Sequence, residues 1–344
     1  MADIILIAGP CSAESRKQFL STAEEATRAG AGMLRAGLWK PRTSPYSFDG
    51  VGEKGLAWLA EAQRLTGLPV ATEVATPDHL RLCIDAGIRC VWLGARTTAN
   101  PFMVQLIANA ISECSQKDIT VLVKNPVNPD VAAWHGAIQR LQKTGAKRII
   151  AVHRGFSQAT AEMRNKQLRN EPIWSLPLRL KRLMPDIELI CDPSHIAGDA
   201  ALVPVIAQQA LDLNFDGLMV EVHCSPEQAL SDARQQLSPA QFRQMLASLH
   251  RPEHNDTDDA ALQACRNEID EIDSAIWKLI LERKRVAKEI GNIKRKSRKS
   301  VYQQQRFEQL LNNRLQWAQE HNLPKDVVVR IIEALHEIAI AEQL

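Results

Sequence analysis

The chain has 344 residues, more than one compact core usually holds, so about two domains are expected. Its 42 Lys plus Arg nearly balance 40 Asp plus Glu, which excludes a global field aimed at nucleic acid or a membrane surface and leaves small metabolites as the expected partners. Seven scattered cysteines, odd in number and without a CxxC, exclude a disulfide framework and point to reduced thiols in the cytoplasm, as does an N-terminus whose apolar run stops at Pro10, too soon for a signal segment.

Eight short runs rich in β-branched and apolar residues recur through the first 225 residues: 4–9, 33–39, 69–74, 90–95, 120–126, 148–155, 188–195 and 217–223. Between them lie segments with helical periodicity, such as KQFLSTAEEATRAGA and PEQALSDARQQL, long enough to cross over between parallel strands. Eight such units predict a (β/α)8 TIM barrel over residues 1–250, with active-site groups at the C-terminal strand ends. A doubly wound open sheet is the rival, disfavoured because no GxGxxG turn follows the first strand. A polar, acidic, Pro-containing stretch predicts a linker at 251–261. Beyond it, 262–344 reads as an all-helical domain: one amphipathic helix over 262–296, too long to stand without a partner, then helices over 302–320 and 325–343.

Chemistry-bearing residues gather at the predicted strand ends. Cys11, His195, Glu221 and Asp232 offer sulfur, nitrogen and oxygen donors, a mix better suited to a borderline transition metal than to Mg2+. Taken singly, each has an ordinary explanation, a small core thiol or a dipole-complementing acid; their shared placement at one barrel mouth favours a metal. Arg35, Lys40, Arg96, Lys124 and Arg154 ring the same mouth, and several converging cations without local acids imply an anionic ligand. Arg42, Thr43 and Ser44 are placed to hold a second phosphate. On the long helix, Arg283 and Lys294 are eleven residues apart and share a face, whereas Arg266 points elsewhere and suits a partner helix. On charge pattern alone these groups also fit the solvated face of a dimerisation coiled coil, or a nucleic-acid contact at KRKSRK.

The motifs GPCSAES, LRAGLWKPRTSPYSF, GARTTANPF, CDPSHIAG and VEVH resemble the 3-deoxy-D-arabino-heptulosonate 7-phosphate (DAHP) synthases over roughly residues 1–250. That resemblance implies a metal-dependent condensation of phosphoenolpyruvate with erythrose 4-phosphate. It implies Cys11, His195, Glu221 and Asp232 as ligands of a divalent ion, Mn2+ first and Co2+, Fe2+ or Zn2+ as alternatives. It further assigns Arg35, Lys40, Arg96, Lys124 and Arg154 to phosphoenolpyruvate, and Lys40, Arg42, Thr43 and Ser44 to erythrose 4-phosphate. Residues 262–343 resemble the all-helical chorismate mutases, with matching spacing at Arg266, Arg283, Lys294, Arg306 and Gln343. This second resemblance implies the rearrangement of chorismate to prephenate, with a partner-chain Arg266 and Arg283 on the carboxylates and Lys294 and Gln343 at the ether oxygen. The chain departs from the family at Gln303 and Phe307, where acidic residues are usual. A homodimer through the helical domain is expected because its first helix is long enough to pair protomers, and feedback by prephenate or chorismate through that domain because a short polar linker tethers it and the chain begins almost at the first strand. The alternative is a barrel synthase whose helical domain serves only dimerisation or regulation.

Overall fold

A computed structural model describes residues 4–40, 46–157, 168–252 and 260–344, and divides the chain into two units, Met1–Glu253 and His254–Leu344. In the first unit eight parallel strands close into a barrel in chain order: β1 (Ile5–Gly9), β2 (Met33–Arg35), β3 (Val70–Val74), β4 (Cys90–Leu93), β5 (Thr120–Lys124), β6 (Arg148–His153), β7 (Glu188–Cys191) and β8 (Gly217–Glu221). Every predicted strand is present; β1 and β3 end with their apolar runs, and the other six end earlier, their last residues leaving the sheet as loops. Around them lie α1 (Arg16–Arg28), α2 (Leu56–Thr66), α3 (Pro77–Asp85), α4 (Ala95–Thr98), α5 (Pro101–Glu113), α6 (Val131–Gln142), α7 (Ser175–Leu183), α8 (Pro193–Ala197), α9 (Val203–Asp212) and α10 (Pro239–Ser248). Their starts follow capping chemistry: Ser15, Thr76, Asn100, Asp130 and Ser238 each accept a first-turn N–H with the side chain, and Pro stands inside the first turn of α3, α5 and α10.

Alternation along the strands produces two cores. Ile7, Met33, Ala71, Leu122, Ile190 and Met219 fill the barrel lumen, while Leu34, Val70, Val91, Val121, Leu189 and Val220 pack outward on the helices. Trp92 caps the lumen beneath two cations, with the Arg35 guanidinium 5.0 Å and Lys124 Nζ 5.7 Å from its ring. The closure pairs β1 with β8 in a register that sets Gly9 opposite Glu221. Gly9, at φ 150°, cannot carry a side chain, since a Cβ there would stand 2.1 Å from the Arg35 carbonyl oxygen.

One helical expectation fails. Residues 226–237 form two short 3-10 turns, Pro226–Gln228 and Ala233–Gln235, instead of a crossover helix. Asp232 between them adopts the left-handed conformation at φ 50°, and the polar side chains of Asp232, Gln235 and Gln236 bond inward to the strand ends instead of lining a helix face.

The second unit consists of α11 (Ala260–Lys296), α12 (Gln304–Glu320) and α13 (Lys325–Gln343). Helix α13 packs on both α11 and α12, burying Ala287, Ala318, Ile332 and Ala339. Gly291 is required on α11, because a Cβ there would meet the α13 backbone at Gln343 Cα at 2.8 Å.

Candidate active sites

Beyond the C-terminal ends of β1 and β8, Cys11, Glu221 and Asp232 place their ligand atoms within 4.8 Å of one another. Cys11 Sγ donates to Asp232 Oδ2 at 3.3 Å, and Lys40 Nζ lies 3.0 Å from the same sulfur. Burial, then the charge of Glu221, push the Cys11 thiol up to about 11. Burial alone would raise the Asp232 carboxyl, but Arg169, His195 and Lys40 outweigh it and hold the group well below the usual carboxylate range. His195 stands beside this trio: its Nδ1 lies 3.7 Å from Glu221 Oε1 and 2.9 Å from Asp192 Oδ2. Because Asp192 can only accept, Nδ1 carries the ring proton and Nε2 keeps its lone pair, the tautomer a metal-ligating imidazole requires. The thiol and two carboxylates form the convergent cluster; His195 lies outside it, and its imidazole would complete a donor set that fits a divalent transition ion, with Cys11 losing its proton on binding.

The cations are less free than the sequence suggests. Arg35, 0% exposed, pairs with Glu221 at 3.0 Å and Asp192 at 3.8 Å, and Lys124 pairs with Asp192 at 2.7 Å. The expectation of a cage without local acids is therefore corrected. Desolvation of so many buried charges demands partners, and Asp192, unremarked in the sequence, supplies them for three residues. Its carboxyl is held well below the usual range, His195, Lys124 and Arg35 together outweighing burial. Arg154 differs. Among the described residues its guanidinium pairs with no carboxylate, donating instead to Asn170 Oδ1 at 3.1 Å; burial, aided by the charges of Arg169 and Arg96, pushes it down to about 10. Crowded cations with one left uncompensated mark where an anion belongs. Arg96, at the start of α4, is exposed on the same side of the charge cluster, whereas Arg42, Thr43 and Ser44 lie outside the described residues.

Residues missed from sequence complete the frame. Glu73 at the end of β3 is buried, and its carboxylate fills the space a Cβ on Gly94 would take, 2.1 Å from Oε1. Arg169 lies 3.2 Å from Asp232, and Gln235 Nε2 donates to Glu221 Oε2 at 2.6 Å. None has a local sequence signal, since each acts through partners distant in the chain.

In the helical unit Lys294 Nζ donates to Gln343 Oε1 at 2.8 Å and to the Val301 carbonyl at 2.7 Å, so the two expected donors do meet. Lys294 keeps a third N–H and Gln343 its whole amide NH2 for a ligand. Arg283 reaches the Leu335 carbonyl on α13, and burial lowers its pKa. His336, one residue on, packs against Phe307 with ring centroids 4.4 Å apart and the rings tilted by 33°. Arg306 is exposed on α12. Arg266 is not brought to this site within one chain, because α11 is continuous and the 28 residues from Arg266 to Lys294 span about 42 Å.

A buried thiol and carboxylate cluster beside several cations at a barrel mouth suits an enzyme of small anionic substrates, and the Lys–Gln–Arg cluster of the three-helix unit suits an anion as well. Comparison with known proteins makes this particular. Residues 2–254 match the DAHP synthetase I family and residues 265–344 match chorismate mutase type II, so the chain belongs to the DAHP synthetase I family and carries a chorismate mutase domain after it. It is 33% identical over 245 residues to phospho-2-dehydro-3-deoxyheptonate aldolase of Thermotoga maritima, covering 71% of this chain and 68% of that one. It is 25% identical over 272 residues to 2-dehydro-3-deoxyphosphooctonate aldolase of Desulfatibacillum aliphaticivorans, covering 72% and 91%. The crystal structure of the Thermotoga maritima DAHP synthase superimposes with a TM-score of 0.62 at 30% identity over 71% of this chain and 67% of that one. A DAHP synthase and a chorismate mutase are thus joined in one polypeptide of aromatic biosynthesis, with phosphoenolpyruvate, erythrose 4-phosphate and chorismate as the substrates its domains imply.

Proposed function

We propose that the barrel reaction depends on a divalent metal, Mn2+ in the first place, held by Cys11, His195, Glu221 and Asp232; the convergence of three of these donors within 4.8 Å carries this reading. When bound, the ion acts as a Lewis acid toward the aldehyde of erythrose 4-phosphate. Arg154 and Arg96 take the phosphate of phosphoenolpyruvate, and Arg35 and Lys124, already oriented by Asp192 and Glu221, its carboxylate. Lys40 stays protonated: burial would lower its pKa, but the charges of Cys11, Glu73 and Glu221 raise it. It therefore holds a proton for the oxygen that gains charge during carbon–carbon bond formation. Arg42, Thr43 and Ser44 take the phosphate of erythrose 4-phosphate. Chelation should abolish condensation and spare the mutase, with Mn2+ restoring the first; equal loss of both activities would refute this division.

In the helical unit the reaction is unimolecular, and Lys294 with Gln343 stabilises the ether oxygen that gains charge while Arg283 holds one carboxylate. Arg306 and a partner's Arg266 complete the site. The supporting observation is the half of α11 left bare in one chain: Ile269, Ile272, Ile276 and Trp277 are 57%, 52%, 47% and 66% exposed, an apolar stripe that a second copy of the helix covers in a homodimer. Prephenate bound at Lys294 lowers barrel activity in the full chain, the tether keeping the two units at high effective concentration. Residues 1–250 and 262–344 act as the two domains, in the cytoplasm. A protein ending near residue 250 that is active yet still inhibited by prephenate would refute the regulatory part.

A further inference from the structure

Four buried carboxamides surround the barrel site, and the partners of each dictate which way its amide faces. Gln235, 2% exposed, accepts on Oε1 from Arg169 Nη1 at 2.5 Å and donates from Nε2 to Glu221 Oε2 at 2.6 Å. Gln236, 1% exposed, accepts on Oε1 from the Cys11 N–H at 2.9 Å and donates from Nε2 to the Ser231 carbonyl at 2.8 Å. Asn170 accepts from Arg154 Nη1 at 3.1 Å and donates to the His195 carbonyl at 2.6 Å. Asn125 accepts from the Arg154 N–H at 2.7 Å and donates to the Gly155 carbonyl at 2.8 Å. A guanidinium and a backbone N–H only donate, and a carboxylate and a carbonyl only accept, so none of the four can flip without losing two bonds at once.

Charge explains why amides occupy these places. The site already holds Arg35, Lys40, Lys124 and Arg154 against Asp192, Glu221 and Asp232. Arg35 and Arg169 already contact the donor carboxylates Glu221 and Asp232, so a further charged positioning group would add to their competition with the incoming ion, or compete with the incoming anion for Arg154. A carboxamide fixes one donor and one acceptor and leaves the net charge unaltered.

We propose that these carboxamides are the positioning residues of the barrel reaction and divide into two pairs, Gln235 and Gln236 setting the metal donors and Asn170 and Asn125 setting the anion-binding Arg154. The inference rests on the metal and anion assignments proposed above. Gln235 holds Glu221 by Oε2, Arg35 holding Oε1, and Gln236 anchors the Asp232 turn to the Cys11 backbone. Asn170 and Asn125 grip Arg154 from its side chain and its backbone.

The test uses the full-length chain and Co2+ as the probe, followed by the thiolate-to-Co2+ charge-transfer band that Cys11 would give. Gln235→Met and, independently, Gln236→Met should weaken Co2+ binding by roughly 10- to 100-fold, the usual effect of removing an outer partner of a ligand. Their condensation rate should recover toward wild type as metal is raised, at an unchanged KM for phosphoenolpyruvate. Asn170→Ala should show the converse, a KM for phosphoenolpyruvate raised roughly tenfold with Co2+ affinity within twofold of wild type, as expected for one lost hydrogen bond to a charged group. Unaltered mutase turnover and circular dichroism certify the fold of each variant. Loss of kcat that neither metal nor phosphoenolpyruvate restores, with the same pattern in all three variants, would mean that the amides serve packing alone and would overturn the proposal. A wild-type protein with no Co2+ band sensitive to Cys11→Ala would overturn the donor assignment and this inference with it, whereas an intact band indifferent to both glutamines overturns this inference only.

Discussion

Lowering the pH should destabilise the barrel through His153, the last residue of β6. Its imidazole is 0% exposed, neither ring nitrogen makes a hydrogen bond of normal geometry, and the rings of Trp134, Phe156, Trp174 and Phe215 stand 6.4, 5.6, 5.3 and 6.2 Å away. Burial pushes its pKa down from 6.5 to about 3, only slightly offset by the nearby Pro172 carbonyl. In the unfolded chain the ring titrates near its ordinary 6.5. A depressed histidine favours the neutral form in the native state, so its contribution is intact above pH ~6.5 and is lost progressively as the pH falls toward ~3, because the unfolded chain takes up a proton that the native one refuses. Between pH 7 and pH 5 the loss amounts to about 2 kcal/mol, at about 1.4 kcal/mol per pH unit below 6.5. Denaturant unfolding of the full chain, with the barrel transition followed by near-ultraviolet circular dichroism, measures it. Two units need not unfold together, so the comparison is between wild type and His153→Phe within that one transition. Other titrating groups cancel in this difference. The variant should lose about 2 kcal/mol less than wild type between pH 7 and pH 5, and an identical pH dependence in the two proteins would refute the reasoning.

Lys294→Ala should lower mutase turnover by about 3–4 kcal/mol of transition-state stabilisation, with the condensation unaffected, as a coupled pair of assays would show. Mixing Arg266→Ala with Lys294→Ala protein should restore mutase activity that neither has alone, through dimers in which one site is intact; no recovery after subunit exchange would place the whole site in one chain. Gly94→Ala should cost about 1–3 kcal/mol in the denaturant midpoint of the barrel and slow condensation, because the new methyl displaces the Glu73 carboxylate. His336→Ala should remove any change in mutase rate that wild type shows on the acid side of pH 6.5, since burial and then the charges of Arg283 and Lys294 lower the pKa of that imidazole below its ordinary value; an unchanged acid limb in the pH–rate profile of the variant would refute a role for the ring.

The barrel was readable because parallel strands buried on both faces appear as plain apolar runs, and because strand-end motifs fall at fixed places in each repeat. Cys11 and Glu221 were found for that reason. Asp192 was passed over although it adjoins the noticed DPSH, since nothing local shows that Lys124 and Arg35, 68 and 157 residues away in sequence, converge on it. The failure at 226–237 has the same origin: PEQALSDARQQL carries helical periodicity, but the bonds that hold Asp232 and the two glutamines inward come from residues near the chain's start and middle. In the helical unit the pairing of Lys294 with Gln343 was expected only through the resemblance to the chorismate mutases, whereas the contact between the His336 and Phe307 rings depends on how α13 crosses α12.

The register that sets Gly9 opposite Glu221 makes the site a seam between the first strand and the last. Cys11 and Asp232 touch across 221 residues of sequence, so no partial barrel assembles the donor cluster, however well its remaining strands pair. An ion bound by that cluster would tie the first strand to the last, and its binding free energy would add to that of closing the ring. Ion binding and closure of β1 on β8 would then be linked, each favouring the other.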